Sequence, residues 1–122
     1  MADKAAKGYT DVCGKHGVWV GDHTGPVSYT PWTAPNTGGD TFSALTVGLR
    51  NLDIVIPVGM SVSGTYYVVA KLMTGSGGTG VPNAPSVTKA ILVWYLTATP
   101  GTQVTAATNL STESIRLYAI GG

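Results

Sequence analysis

The apolar positions of this chain recur mostly with a period of two and in short runs, the pattern of strands rather than of helices. The strongest runs are residues 64–73 (GTYYVVAKLM) and 89–96 (KAILVWYL), apolar on nearly both faces. A strand of that kind needs a cover on each side: one is expected to be the opposing sheet of the same domain, and a neighbouring subunit is a candidate for the other. Near the C-terminus, Ile115, Leu117 and Ala119 alternate with Arg116, Tyr118 and Ile120, and residues 102–109 (TQVTAATN) read as a further strand. In NLDIVIPVG, Leu52, Ile54 and Ile56 fall on one side and Asp53 and Val55 on the other, which predicts a strand with the isoleucines on its core face, stopped by Pro57. VWV at 18–20 predicts a short strand bounded by Gly17 and Gly21, and PVSYTPW at 26–32 a short edge segment. Residues 36–49 place Phe42, Leu45 and Leu49 at intervals of three and four, predicting one helical turn with Gly48 as its C-cap.

These elements, with a single Glu (Glu113) in 122 residues, predict an all-β fold: one domain, a β-sandwich or small β-barrel with short irregular connections. An extended N-terminal arm is expected over residues 1–11, the β domain over 12–122, and within it a Gly/Pro-rich loop at 74–86 (TGSGGTGVPNAPS). Irregular loops of that length are usually functional or disordered.

Charge changes the picture most. Lys and Arg number 7, Asp and Glu 6, so charged residues make up 11 % of the chain, against about 25 % in ordinary globular domains. Surfaces that work against partners are depleted in Lys, Glu and Asp, and much of this surface is therefore expected to be covered in the working state. A Thr/Ser-rich secreted or thermally adapted domain is the alternative. A net charge of +1 supplies no basic stripe, which argues against direct nucleic-acid binding. The run AILVWYL is far shorter than the roughly twenty residues of a membrane span. The N-terminus lacks the apolar region of a signal peptide, and one cysteine cannot form an internal disulfide, so synthesis in a cytoplasm is expected.

The stretch VCGKHGVWVGDHTG gathers Cys13, His16, Asp22 and His23. Cys13 and His16 have metal-pair spacing, but Asp22 and His23 are adjacent and point to opposite faces in a strand, a poor second pair for tetrahedral zinc. A hairpin with solvated histidines near its turns is the favoured reading, and no metal or cofactor is expected. A Cys–His nucleophile would need an orienting third group, and none of the common hydrolase motifs occurs. GSGGTG at 75–80 matches a dinucleotide fingerprint in letters only, because VPNAPS follows where a helix must begin. No enzymatic activity is expected. The residues expected at an interface are Tyr9, Trp32, Tyr66, Tyr67 and Trp94, with Thr79, Val81 and Pro82 of the long loop. Trp94 and Tyr67 read equally as core or inter-subunit packing, and Trp32, between prolines, as an exposed ring or a local plug.

Residues 36–59 (NTGGDTFSALTVGLRNLDIVIPVG) and 107–122 (ATNLSTESIRLYAIGG) carry a resemblance: a Thr-Gly-Gly turn, a Gly-Leu ending, an Asp-containing apolar strand and an Ile-Arg-Leu-x-Ala-Ile-Gly terminus. In these the chain resembles small β-rich virion proteins of tailed bacteriophages, especially capsid decoration (cement) proteins. The resemblance implies a viral structural protein that binds the exterior of the assembled head, often as homotrimers at local symmetry axes, and bridges neighbouring subunits of the major capsid protein. Lattice contacts are expected from the arm at 1–11 and the loop at 74–86. The alternative is a head-fibre or tail component binding host-surface glycans through Trp32 and nearby tyrosines.

Overall fold

The computed structural model describes residues 9–13, 16–33, 37–72 and 88–122. Among the described residues seven strands form two antiparallel sheets. In the first, β1 (Tyr9–Cys13), β2 (His16–Thr24), β7 (Ser114–Gly121) and β4 (Ile54–Val58) lie side by side in that order; in the second the order is β3 (Asp40–Ser43), β6 (Lys89–Leu96), β5 (Tyr66–Leu72). The inner faces share one core, with Trp19, Ile115, Leu117 and Ala119 from the first sheet meeting Phe42, Leu92, Trp94 and Val68 from the second. The Trp19 and Phe42 rings touch across the gap at 5.5 Å between centroids. The domain is therefore all-β, a sandwich of two open sheets rather than a closed barrel.

The alternation read along the last strand holds: Ile115, Leu117 and Ala119 are buried and Arg116, Tyr118 and Ile120 face out. β6 is apolar on both sides, and its second cover comes from the chain itself. Ile91 and Val93 on its outer side are buried under Trp32, with Tyr95 packed beside them. Gly39 makes this cover possible. It has φ +82, its N–H donates to the Thr30 carbonyl, and a Cβ there would run into the Ile91 side chain, so the segment carrying Trp32 can lie against the sheet only with glycine at this turn.

Several expectations are corrected. β2 does not stop at Gly17 and Gly21 but runs nine residues through both, because Gly17 is held extended between Val12 of β1 and Gly121 of β7, and Gly21 by its pairing with Leu117 of β7. Residues 26–32 and 102–109 form no strand: the first range has no bridge, Thr33 just beyond it bridging Thr37, and the second has only the isolated bridge of Gln103 to Tyr95; they are tied down by loop bonds such as Tyr29 N–H to the Thr108 carbonyl. The helix-like spacing at 36–49 resolves into strand β3 and a single 3-10 turn, Leu45–Val47, which Gly48 does cap in the left-handed conformation. Of the expected arm at 1–11, Tyr9 to Asp11 belong to β1 and pair with β2, and residues 1–8 lie outside the described residues, as does the loop at 74–86.

The largest correction concerns β4. Pro57 does not end it; the strand pairs with β7 through Val58, which an edge strand tolerates. The side chains also lie the other way round: Leu52 is buried, but Ile54 and Ile56 are exposed and Val55 packs toward the core. The cause is a crossing. Arg50 N–H donates to the Gly122 carbonyl and Asp53 N–H to the Ile120 carbonyl, so residues 50–52 pass close under Gly121, dropping Leu52 into the core. A bend at Asp53 then turns the chain up to pair with β7 and shifts the alternation by one residue.

Candidate functional site

Beyond that bend, every second residue is large, apolar and exposed: Ile54 (43 %), Ile56 (45 %), Val58 (53 %), Met60 (60 %) and Val62 (75 %). Ile54, Ile56 and Val58 stand on the outer face of the four-stranded sheet. Their register partners on β7 are Ile120, Tyr118 and Arg116, and next to these on β2 lie Val18, Val20 and Asp22. Across β4, β7 and β2 two of the three rows carry no charge, Ile54–Ile120–Val18 and Ile56–Tyr118–Val20; on β1 the register continues the first row to Asp11 and the second to Tyr9. The third holds both charges of the β2, β4 and β7 strips of this face, and they neutralise one another, Arg116 Nε donating to Asp22 Oδ1. Met60 and Val62 extend the stripe through the β4–β5 connection, where the Val62 N–H donates to the Ser114 carbonyl. Exposed apolar surfaces of this kind are candidates for interaction with a partner.

The Cys/His stretch is split between β1 and β2. Cys13 and His16 are register partners where β1 meets β2. Asp22 points outward to Arg116, whereas His23 is fully buried, which corrects its reading as a solvated turn residue. With β2 continuous through Gly21, His23 has the parity of Trp19 and must face the core. There its Nε2 donates to Asp40 Oδ2 at 2.7 Å, and Trp94 Nε1–H donates to the same oxygen at 3.0 Å. The Phe42 ring packs edge-on against the imidazole at 5.8 Å. His23 Nδ1 has no hydrogen-bond partner among the described residues. This cluster links β2 of one sheet to β3 and β6 of the other, and its chemistry is that of a buried polar clasp. Among the described residues no group of three or more His, Cys, Asp or Glu could hold a metal ion, and no helix is long and apolar enough to cross a membrane.

The expected interface aromatics separate by depth. Trp94 is fully buried, a correction: the inward parity of β6 makes it core, and it offers no surface to a partner. Tyr66 is half-buried, edge-on to Trp94 at 6.1 Å. Tyr67, on the opposite face of β5, stacks on Tyr95 at 5.2 Å, and its hydroxyl accepts from the Gly101 N–H. Trp32 is the plug over Ile91 and Val93, and Nζ of Lys71, the register partner of Ile91, lies 4.6 Å from its ring centroid. Tyr9 stands in β1 opposite Val20. Thr79, Val81 and Pro82 lie outside the described residues. The apolar stripe of β4, Met60 and Val62 was missed by sequence reasoning.

Behind the Trp32 segment, Tyr29 is buried, its hydroxyl donating to Gln103 Oε1 at 2.6 Å and accepting from the Trp94 N–H. Burial raises this phenol above its ordinary value of 10.0. The unfolded chain therefore ionises first as pH rises, and the contribution of Tyr29, full below about pH 10, is lost as pH climbs toward the folded-state value. Tyr29→Phe is expected to cost about 1–2 kcal/mol at neutral pH, because the Trp94 N–H loses its acceptor, and to flatten the alkaline loss of stability. Urea unfolding at neutral pH and above about pH 10 measures both.

No protein-family model matches the chain, and no curated protein or solved structure matches it significantly.

Proposed function

We propose that this chain is a non-enzymatic virion structural protein, a capsid decoration or cement protein that binds the exterior of an assembled phage head and bridges neighbouring subunits of the major capsid protein. The observation that carries this reading is the exposed apolar stripe from Ile54 to Val62 on a domain with only 11 % charged residues: such a surface works covered. The resemblance of residues 36–59 and 107–122 to decoration proteins supports the same reading and implies trimers at local symmetry axes. In this role the protein is made in the host cytoplasm and acts on the capsid exterior, with no cofactor and no direct contact with nucleic acid or membrane. Its mechanism is multivalent. Each copy contributes modest apolar burial, and a copy touching several capsid subunits leaves only when all contacts open together. A fibre protein that stacks glycans on Trp32 is less well supported, because the ring is engaged in packing on Ile91 and Val93 and in contact with Lys71.

The test is to purify particles from the source on a density gradient and count this chain per copy of the major capsid protein. A ratio near one, or a simple fraction set by local symmetry, is expected. A handful of copies per particle, or none, overturns the proposal.

A further inference from the structure

We propose that the outer edge of β5 is a strand-addition site for β5 of a second copy, the two three-stranded sheets joining edge to edge across a two-fold axis. The proposal concerns the edge of the second sheet, not the apolar stripe of the first, and it stands without the decoration role.

The backbone bonds of β6 fix which groups of β5 are open. Leu96 N–H donates to the Thr102 carbonyl, Val104 N–H donates to the Trp94 carbonyl, and Trp94 N–H donates to the Tyr29 hydroxyl. Leu96 and Trp94 therefore turn their backbone groups away from β5. Thr97 N–H instead donates to the Thr65 carbonyl and begins the ladder between the two strands. Bonded and non-bonded positions alternate along an antiparallel pair. With Tyr66 opposite Leu96 and Leu72 opposite Ala90, Tyr67, Val69 and Lys71 bond to β6, while Tyr66, Val68, Ala70 and Leu72 turn N–H and C=O to the outer edge. Ser61 occupies both groups of Tyr66: its N–H donates to the Tyr66 carbonyl at 2.9 Å, and its Oγ accepts from the Tyr66 N–H at 3.2 Å. Among the described residues Val68, Ala70 and Leu72 have no such bond on that side.

Sheet edges are ordinarily blunted against pairing by shortness, proline, charge or a bulge. β3 has four residues, β4 carries Pro57, and β1 has five residues with Asp11 at its centre. β5 is the longest of the four edge strands, contains neither Pro nor Gly, and keeps an unbroken register over its whole length. Its one charged residue is Lys71, and the Lys71 ammonium sits over the Trp32 ring of its own chain. What fits such an edge is an extended backbone offering N–H and C=O at the same spacing.

Register selects the second copy. The open run is centred on Ala70. An axis at Ala70 pairs Ala70 with Ala70 of the second copy and Val68 with Leu72 of the second copy, so every open N–H and C=O on both edges is used. An axis at Val69 would set Leu72 against Tyr66, whose groups Ser61 already holds, and an axis at Lys71 would set the two lysines directly opposite each other. With the axis at Ala70, Lys71 falls opposite Val69 of the second copy, and its aliphatic stem covers a side chain that is 41 % exposed in the single chain. A foreign strand would close one edge. The second copy brings an identical edge, and one isologous contact closes both.

The contact closes as a pair, which departs from the trimer that the resemblance implies. The experiment is amide hydrogen exchange, read by NMR on the purified full chain in dilute and in near-millimolar solution, with sedimentation velocity at both concentrations. The concentrated chain is expected to sediment as a dimer, and in it the amides of Val68, Ala70 and Leu72 are expected to exchange at least about tenfold more slowly than in the dilute chain. Tyr67, Val69 and Lys71, already bonded to β6, should be protected at both concentrations. Val69→Lys places like charges opposite each other twice in the dimer and should weaken association roughly tenfold, whereas Val69→Glu places opposite charges there and should not. Ile56→Lys, on the stripe, should leave the dimer intact. A chain that stays monomeric, a trimer, a dimer in which the three amides exchange as in the dilute chain, equal effects of Val69→Lys and Val69→Glu, or a dimer abolished by Ile56→Lys overturns the proposal. None of these results changes the number of copies carried per capsid subunit, so this proposal and the decoration role fail separately.

Discussion

Asp40→Ala is expected to be among the most damaging single substitutions in this domain, costing about 3–5 kcal/mol. One oxygen, Asp40 Oδ2, accepts both the His23 Nε2 and the Trp94 Nε1 hydrogen bonds, and both rings are fully buried between the sheets. Alanine leaves two donors in a site from which water is excluded, and it removes the polar link between the sheets as well. For a domain of this size the loss corresponds to a fall in melting temperature of roughly 10–20 °C. Asp40→Asn separates this account from one based on side-chain volume. Its single amide oxygen can take over both bonds, so it is expected to cost only about 1–2 kcal/mol. Chemical denaturation of both variants checks the pair; equal losses would show that the shared acceptor is not what matters.

Gly121→Ala is expected to cost on the order of 3 kcal/mol although it adds one methyl group. A Cβ at this position collides with the carbonyl oxygen and carbon of Asn51 and crowds the Leu52 Cα, all of them backbone atoms. No side-chain rotation relieves that. Either the end of β7 or the crossing at 50–52 must move, and the crossing is what buries Leu52 and turns the β4 alternation outward. The substitution is therefore expected to lower the unfolding midpoint and, unlike the clasp substitution, to change the chemical shifts of Ile54 and Ile56. An unfolding midpoint within experimental error of wild type would show that the crossing yields more easily than its backbone contacts imply.

What could be read from the chain follows from which forces are local. β5, β6 and β7 were legible because period-two alternation and β-branched or aromatic content are properties of the strand itself. The Gly48 cap was legible for the same reason, since a left-handed helix end favours glycine whatever surrounds it. The reach of β2 was not legible: Gly17 and Gly21 interrupt a strand when read locally, and only pairing with distant chain, above all with β7, holds them extended. That error hid the clasp, because His23 acquires inward parity only if the strand passes through Gly21. The β4 stripe was missed for a related reason. Leu52, Ile54 and Ile56 share one parity in the sequence, and the bend that separates Leu52 from the isoleucines depends on the absence of a side chain at Gly121, nearly seventy residues away. The low charge pointed to a covered surface without placing it. Sequence parity put the isoleucines of β4 inside, the fold puts them outside, and places where pattern and fold disagree are where function is expected.

The most direct measurement is the oxidation rate of Met60, which follows β4 in the connection to β5 and is 60 % exposed. Thioether oxidation follows solvent access, and peptide mass spectrometry reads it at this single position. With mild peroxide, Met60 in the free chain is expected to oxidise readily, and in the chain carried on purified particles to oxidise several-fold more slowly. Equal rates in the free and particle-bound states would contradict the account, because the stripe would then face solvent where the protein works.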